Sequence, residues 1–260
     1  MARQIPEFLI IGAAKSGTTS LITDLRHHPE VCTPGVEVNY FSHFITKGDV
    51  WYRSRFAEPL LICGEKSTSY LYDSSCAGKI YRYNPEMKLI IMLREPVRRA
   101  YSNWTMRRVQ NRLLNQAEHF NSLSKYRISN LGFRHLFHDY LACRNEQERF
   151  YEPLDVFERS MYMKQISCFL EWFPRNQLLI LISERFFRTP ADTLEFVGDF
   201  LGIGPFPERQ NAWKRKMEYP APLDPATASE MRTFFQPFNQ QLFDFLGEEI
   251  PEWHDSNDLG

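Results

Sequence analysis

The sequence predicts an α/β protein, a single domain over 1–260 built on a central parallel β-sheet flanked by helices. Three observations carry that prediction. The apolar runs Phe8–Ile11, Pro59–Gly64, Lys88–Leu93 and Gln177–Ile182 show no in–out alternation, the mark of strands covered on both faces. Segments with the apolar spacing of helices separate them, which is the rhythm of βαβ units. The first run breaks at once into a glycine-bounded turn, Gly12-Ala13-Ala14-Lys15-Ser16-Gly17, and then into a helix.

In chain order, the first helix is expected over Thr18–His27, with Leu21, Ile22 and Leu25 on one face. His28 to Pro34 stops it and leaves room for a short strand. Val36 to Phe41 is an aromatic-rich segment carrying one isolated carboxylate, Glu37. The strand Pro59–Gly64 is followed directly by the polar run Glu65-Lys66-Ser67-Thr68-Ser69-Tyr70. A short helix, Ala77–Tyr83, ends at Asn84-Pro85. The strand Lys88–Leu93 runs into Arg94-Glu95-Pro96, and Pro96 suits the first turn of a helix reaching about Val109.

Residues 111–153 read as an insertion over one face, with short helical stretches at most. Arg159–Phe173 has helical spacing, Gln177–Ile182 is a strand, and Pro190–Leu201 is an amphipathic helix closed by Gly202. A polar loop from Glu208 to Pro225 precedes a last helix over Ala226–Leu246.

Composition narrows the function classes. A formal net charge of −1 provides no global field for nucleic acid or a membrane surface. The five cysteines are scattered without paired spacing, which favours reduced thiols over a disulfide framework or a zinc site. No apolar run approaches the roughly 20 residues that cross a bilayer, and the N-terminus shows no signal-peptide core. The expectation is a cytoplasmic protein with no nucleic-acid or membrane partner and an unknown oligomeric state.

Chemistry concentrates at the strand ends. A tight turn between strand and helix aims backbone N–H groups at one spot with the positive helix end behind them, a cradle for phosphate or sulfate. The spacing Gly12-x4-Gly17 matches the nucleotide-triphosphate loop, but Thr18 stands where that loop needs lysine, and the only lysine, Lys15, lies inside the turn. Ligands of parallel sheets bind beyond the carboxyl ends of the strands. Lys15, Lys66 and Arg94 each follow a different strand, so three cations can converge on one polyanion.

These segments together resemble the sulfotransferases that use 3′-phosphoadenosine 5′-phosphosulfate (PAPS), in the glutamate-type branch that includes the heparan-sulfate enzymes and bacterial relatives. The likeness rests on Phe8–Thr19, His28-Pro29, the E-x-x-[FY]-F segment Glu37–Phe41, the E-K-[ST]-x-x-Y segment Glu65–Tyr70, and Arg94-Glu95-Pro96-Val97-Arg98-Arg99-Ala100-Tyr101-Ser102. The resemblance implies that Lys15, Ser16, Gly17, Thr18 and Thr19 hold the 5′-phosphosulfate in a P-loop-like turn. It implies that Arg94 and Ser102 hold the 3′-phosphate, and that Glu37 is the general base, with Lys15 and Lys66 as catalytic cations. No metal is called for, because lysines take its place. A basic run, Lys214-Arg215-Lys216, lies where relatives close a loop over the 3′-phosphate, and Arg215 is the candidate within it.

Each assignment has a competitor. His43 is the alternative base, a Glu65 salt bridge is the bland explanation of Lys66, Arg98 and Arg99 are solvated or paired, and Tyr162 is as much a core residue as a nucleotide contact. Val36 stands where many relatives carry lysine. At the level of function, a nucleotide kinase or a non-catalytic nucleotide-binding module are the rivals. The acceptor is expected to be a small molecule, a secondary metabolite, bound by the aromatics Tyr40, Phe41, Phe44, Trp51 and Tyr52 and by the insertion; a carbohydrate is the alternative.

Overall fold

A computed structural model describes residues 5–56, 61–116, 132–143, 155–207 and 223–254. In chain order these form β1 (Phe8–Gly12), α1 (Thr18–Arg26), β2 (Val31–Cys32), α2 (Gly48–Arg53), β3 (Ile62–Lys66), α3 (Ser75–Tyr83), β4 (Lys88–Leu93) and α4 (Pro96–Gln116). Then follow α5 (Phe133–Cys143), α6 (Asp155–Glu158), α7 (Tyr162–Leu170), β5 (Leu178–Ile182), α8 (Ser183–Arg188), α9 (Pro190–Leu201) and α10 (Pro225–Leu246). Among the described residues, no helix is long and apolar enough to cross a membrane.

The chain partitions into two compact units, Met1–Arg94 with Lys164–Arg215, and Glu95–Met163 with Lys216–Gly260. The first contains the whole sheet, five parallel strands in the order β2-β3-β1-β4-β5. β1 sits at the centre, and its onward connection leads to one edge while that of β4 leads to the other. Their carboxyl ends therefore form the topological switch point, where ligands of open α/β sheets bind. Phe8, Ile10, Ile90 and Met92 of the central strands pack on Leu21, Leu25, Phe186 and Val197 from the covering helices. Burial on both faces explains why these strands read as unbroken apolar runs.

The second unit is helical, and its core is aromatic: Trp104, Phe133, Phe137, Phe157 and Phe235 are buried together with Val97 and Met231. Pro96 occupies the first position of α4, and the Glu95 carboxylate accepts the Arg98 N–H at 2.6 Å, so the helix starts where the sequence indicated. Asp224 does the same for α10, accepting from the Thr227 N–H at 2.9 Å and hydroxyl at 2.6 Å.

Several boundaries differ from the expectation. β3 extends to Lys66 because its backbone pairs with β1 through Leu9↔Glu65 and Ile10↔Lys66, so partner register, rather than apolar content, sets its end. α4 runs on to Gln116, and α5 forms inside the segment read as an irregular insertion. The helix expected over Arg159–Phe173 is shorter, α7 covering Tyr162–Leu170: Ser160 donates to the Pro96 carbonyl and accepts from Arg99 Nε at 2.6 Å, holding a turn between α6 and α7. α8 was not foreseen.

Candidate active site

The turn after β1 is built by the backbone. The Ala13 N–H donates to the Met92 carbonyl at 2.8 Å, which pins the start of the turn to β4. Lys15 (φ 74) and Gly17 (φ 89) both lie in the left-handed region. For a lysine that conformation is strained and survives only where surroundings enforce it; here Arg94 Nη1 donates to the Lys15 carbonyl at 3.2 Å. Left-handed residues at alternate positions turn successive N–H groups to one side, the geometry of an anion nest. α1 begins at Thr18 with no side-chain cap, so its first-turn donors add to that nest.

The side chains of the turn divide by exposure. Ser16 is fully buried, its N–H donates to the Ala13 carbonyl at 3.3 Å, and its hydroxyl has no partner among the described residues. Thr18 is buried, whereas Thr19 faces solvent. Thr19 Oγ1 accepts from Lys66 Nζ at 3.2 Å. The same ammonium lies 2.5 Å from Glu37 Oε1, with side-chain exposures of 12% for Lys66 and 35% for Glu37. One lysine at the end of β3 thus joins the carboxylate of Glu37 to the start of α1.

Glu65 does not compete for that lysine. Successive strand residues point to opposite faces, and Glu65 is fully buried. Its carboxylate accepts from Tyr70 Oη at 2.6 Å, Ser67 Oγ at 2.6 Å and Tyr52 Oη at 3.4 Å, and from the Val38 N–H. Burial pushes its pKa up to about 7, against the pull of these donors. The salt-bridge explanation of Lys66 is therefore replaced by the pair with Glu37. Sequence reasoning gave Glu65 only as a motif residue and a candidate partner of Lys66; the signal for its buried role was a carboxylate one residue before a strand-end lysine, followed by Ser67 and Tyr70 hydroxyls.

The aromatic segment also differs from the expectation. Tyr40, Phe41 and Tyr52 are 5%, 1% and 0% exposed, and the Tyr40 and Tyr52 rings stack with centroids 4.2 Å apart. They are a packed floor, formed because aromatic faces bury more area against one another than against water. Phe44 and Trp51 remain nearer the surface, with Lys47 Nζ 4.7 and 4.6 Å from their ring centres. His43 hydrogen-bonds through Nδ1 to Ser42 Oγ at 2.7 Å.

The other candidates are distributed as follows. Arg94 closes the first unit, half-buried at the end of β4. Ser102 lies buried on α4 in the second unit. Arg99 is fully buried and bonded to Ser160 Oγ and the Val156 carbonyl, a structural tie within that unit. Tyr162 is buried against Trp253, with ring centres 5.9 Å apart. Arg215, with the run Lys214–Lys216, lies outside the described residues. Among the described residues, no group of His, Cys, Asp and Glu is arranged to hold a metal ion.

Residues 6–217 match the model of the sulfotransferase domain family. The chain is 28% identical over 275 residues to heparan sulfate glucosamine 3-O-sulfotransferase 5 of Mus musculus, covering 96% of this chain and 75% of that protein. Among solved structures, a sulfotransferase from Alicyclobacillus acidocaldarius superposes with a TM-score of 0.70 at 26% identity, over 97% of this chain and 100% of that one. The sulfotransferase domain from the curacin biosynthetic pathway shares the fold, with a TM-score of 0.54 at 15% identity over 96% and 100% of the two chains. The nest after β1, the cations at three strand ends and these likenesses agree: the chain belongs to the PAPS-dependent sulfotransferase family and is an enzyme of that class.

Proposed function

We propose that the 260 residues act as one sulfotransferase domain that moves the sulfuryl group of PAPS to a hydroxyl or amine of a small organic acceptor, with Glu37 as general base. The observation that carries this reading is the Lys66 ammonium, 2.5 Å from Glu37 Oε1 and 3.2 Å from Thr19 Oγ1. It puts a proton-accepting carboxylate beside the helix end that suits the donor. The residues fit the nucleotide: the strained Lys15–Gly17 nest, the uncapped start of α1 and the partnerless Ser16 hydroxyl form an anion cradle.

PAPS, when bound, supplies an activated sulfuryl group and leaves as adenosine 3′,5′-bisphosphate. Lys15 and the N–H groups of Gly17, Thr18 and Thr19 bind the 5′-phosphosulfate and stabilise charge growing on the leaving phosphate. Glu37 takes the acceptor proton as the acceptor oxygen or nitrogen attacks sulfur. Lys66 neutralises Glu37 and the transferring group. Arg94, with its planar guanidinium fork, Ser102, with its hydroxyl, and Arg215 are the candidates for the 3′-phosphate. The five free cysteines support a reducing, cytoplasmic setting.

Val36, which directly precedes Glu37 in sequence, is 73% exposed, and Phe44 of the aromatic segment is 40% exposed. Exposed apolar and aromatic side chains in the segment that carries Glu37 suit a compact ring-bearing acceptor. A glucosamine-containing carbohydrate is the second reading, favoured by the similarity to the mouse heparan sulfate glucosamine 3-O-sulfotransferase. The test incubates the enzyme with PAPS and either simple phenols and alcohols or glucosamine oligosaccharides, with mass spectrometry of the products. Sulfated phenols or alcohols support the first reading and sulfated oligosaccharides alone support the second. ATP hydrolysis without release of adenosine 3′,5′-bisphosphate overturns both.

A further inference from the structure

We propose that Glu65 is a positioning residue: its buried carboxylate, acting through Ser67 and Tyr70, fixes the backbone of residues 38–41 and so aims Glu37. The inference rests on the reading of Glu37 as the base.

The argument begins with proton direction. Ser67 and Tyr70 each own one hydroxyl proton, and both are given to Glu65, each at 2.6 Å. Their oxygens are left as acceptors, and both accept from the base segment. The Asn39 N–H donates to Ser67 Oγ at 2.8 Å and the Phe41 N–H to Tyr70 Oη at 3.4 Å. The Val38 N–H donates to Glu65 directly. Three backbone donors immediately after Glu37 thus end on one carboxylate, directly or through one hydroxyl.

This arrangement replaces a strand ladder. Residues 36–39 belong to no strand, and Asn39 is left-handed at φ 51. Without these acceptors, three partly or fully buried N–H groups would need other partners.

The identity of the acid matters as well. Among the described residues, the hydrogen-bond partners of Glu65 are neutral donors: the Tyr52, Ser67 and Tyr70 hydroxyls and the Val38 amide. Burying a carboxylate without a cation is costly, and an amide of the same shape would avoid that cost. Only an ionised carboxylate is acceptor-only, a state Glu65 reaches as the pH passes about 7, and only an acceptor-only group compels both hydroxyls to point their protons inward. Glu65 and Lys66 are adjacent on β3 and face opposite ways. One strand end therefore governs both the backbone of the base and its counter-charge.

The test uses Glu65→Gln, Glu65→Asp, Ser67→Ala, Tyr70→Phe, Glu37→Gln and the double variant Glu37→Gln/Glu65→Gln in the full chain. Three quantities are read: adenosine 3′,5′-bisphosphate affinity by calorimetry, cleavage of PAPS with water as acceptor, and amide hydrogen exchange. Glu65→Gln is expected to slow PAPS cleavage by about 20-fold while nucleotide affinity stays within about threefold. Exchange at Val38, Asn39 and Phe41 rises by about tenfold or more, with β4 amides unchanged. Glu65→Asp recovers part of the rate, and the double variant is no slower than Glu37→Gln alone.

Cleavage within about twofold of wild type in Glu65→Gln overturns the proposal, as does an additive loss in the double variant. Should Glu65→Gln fail to fold, unchanged cleavage and exchange in both Ser67→Ala and Tyr70→Phe overturn it equally. Wild-type cleavage in Glu37→Gln would instead remove the base reading, a separate failure read from a separate variant.

Discussion

The turn after β1 and the segment around Glu37 meet at Lys66, yet they are held in opposite ways. The turn is made by backbone geometry local in sequence: a strand, left-handed Lys15 and Gly17, and the start of α1. The segment carrying Glu37 depends on side chains nearly thirty positions away, such as the Ser67 hydroxyl that accepts from Asn39 and the Tyr70 hydroxyl that accepts from Phe41. A locally built element tolerates change elsewhere and fails by its own dihedrals. A remotely tied one keeps its shape only as long as its distant acceptors do. Donor binding and proton removal should therefore be separable by mutation.

The sharpest separation is expected from Glu37→Gln, which removes the proton acceptor and keeps the shape. Turnover should fall about 10²–10⁴-fold, with adenosine 3′,5′-bisphosphate affinity within about threefold of wild type by calorimetry. An equal loss in affinity would mean that the two regions are not independent. Lys15→Ala strikes the other side: turnover should fall about 10²–10³-fold together with nucleotide affinity. Activity within about tenfold of wild type, roughly 1.4 kcal/mol, would take Lys15 out of the transition state.

The remote tie has its own signature in acid and base. Folding raises the Glu65 pKa from 4.5 to about 7, chiefly by burial. Between those values the native state binds more protons than the unfolded chain, so this group favours folding fully below pH 4.5 and loses that contribution as the pH climbs through 7. Urea titrations of wild type and Glu65→Gln across that range should show their stability difference moving against wild type by roughly 3 kcal/mol as pH rises. A flat difference would mean that Glu65 titrates normally.

The smallest effect is local to the turn. Gly17→Ala adds a Cβ at φ 89, at a point 2.9 Å from the Phe187 ring. The expected cost is about 1–2 kcal/mol, seen as a lower melting temperature with weaker nucleotide binding and an unchanged Glu37-dependent pH profile. A loss of proton transfer with intact binding would reverse the contrast between the two regions.

What could be read from the sequence follows the same division. Phe8–Gly12 and Lys88–Leu93 announce themselves because they are buried on both faces, Leu178–Ile182 because it is apolar at every position, and the turn announces itself because glycine spacing encodes backbone shape. Lys15, Lys66, Glu37 and Arg94 were legible as strand-end and motif residues. The inward turn of Glu65 was not, since side-chain direction depends on a strand end set by pairing with β1. The burial of Tyr40 and Tyr52 was hidden for a like reason: an aromatic looks the same in sequence whether it lines a surface or stacks on a neighbour. The turn at Ser160 arises from Arg99, sixty-one positions earlier, and no local pattern reports it.

The exposed Val36 has a bearing on how such a protein changes over generations. It precedes Glu37, the proposed base, lies outside the described strands and makes no contribution to the sheet core. On the proposed reading of Glu37, variation there alters the surroundings of the base without disturbing the β1–β3 register that holds Lys66. Segments of this kind are where descendants of a single scaffold diverge in preference while retaining their chemistry.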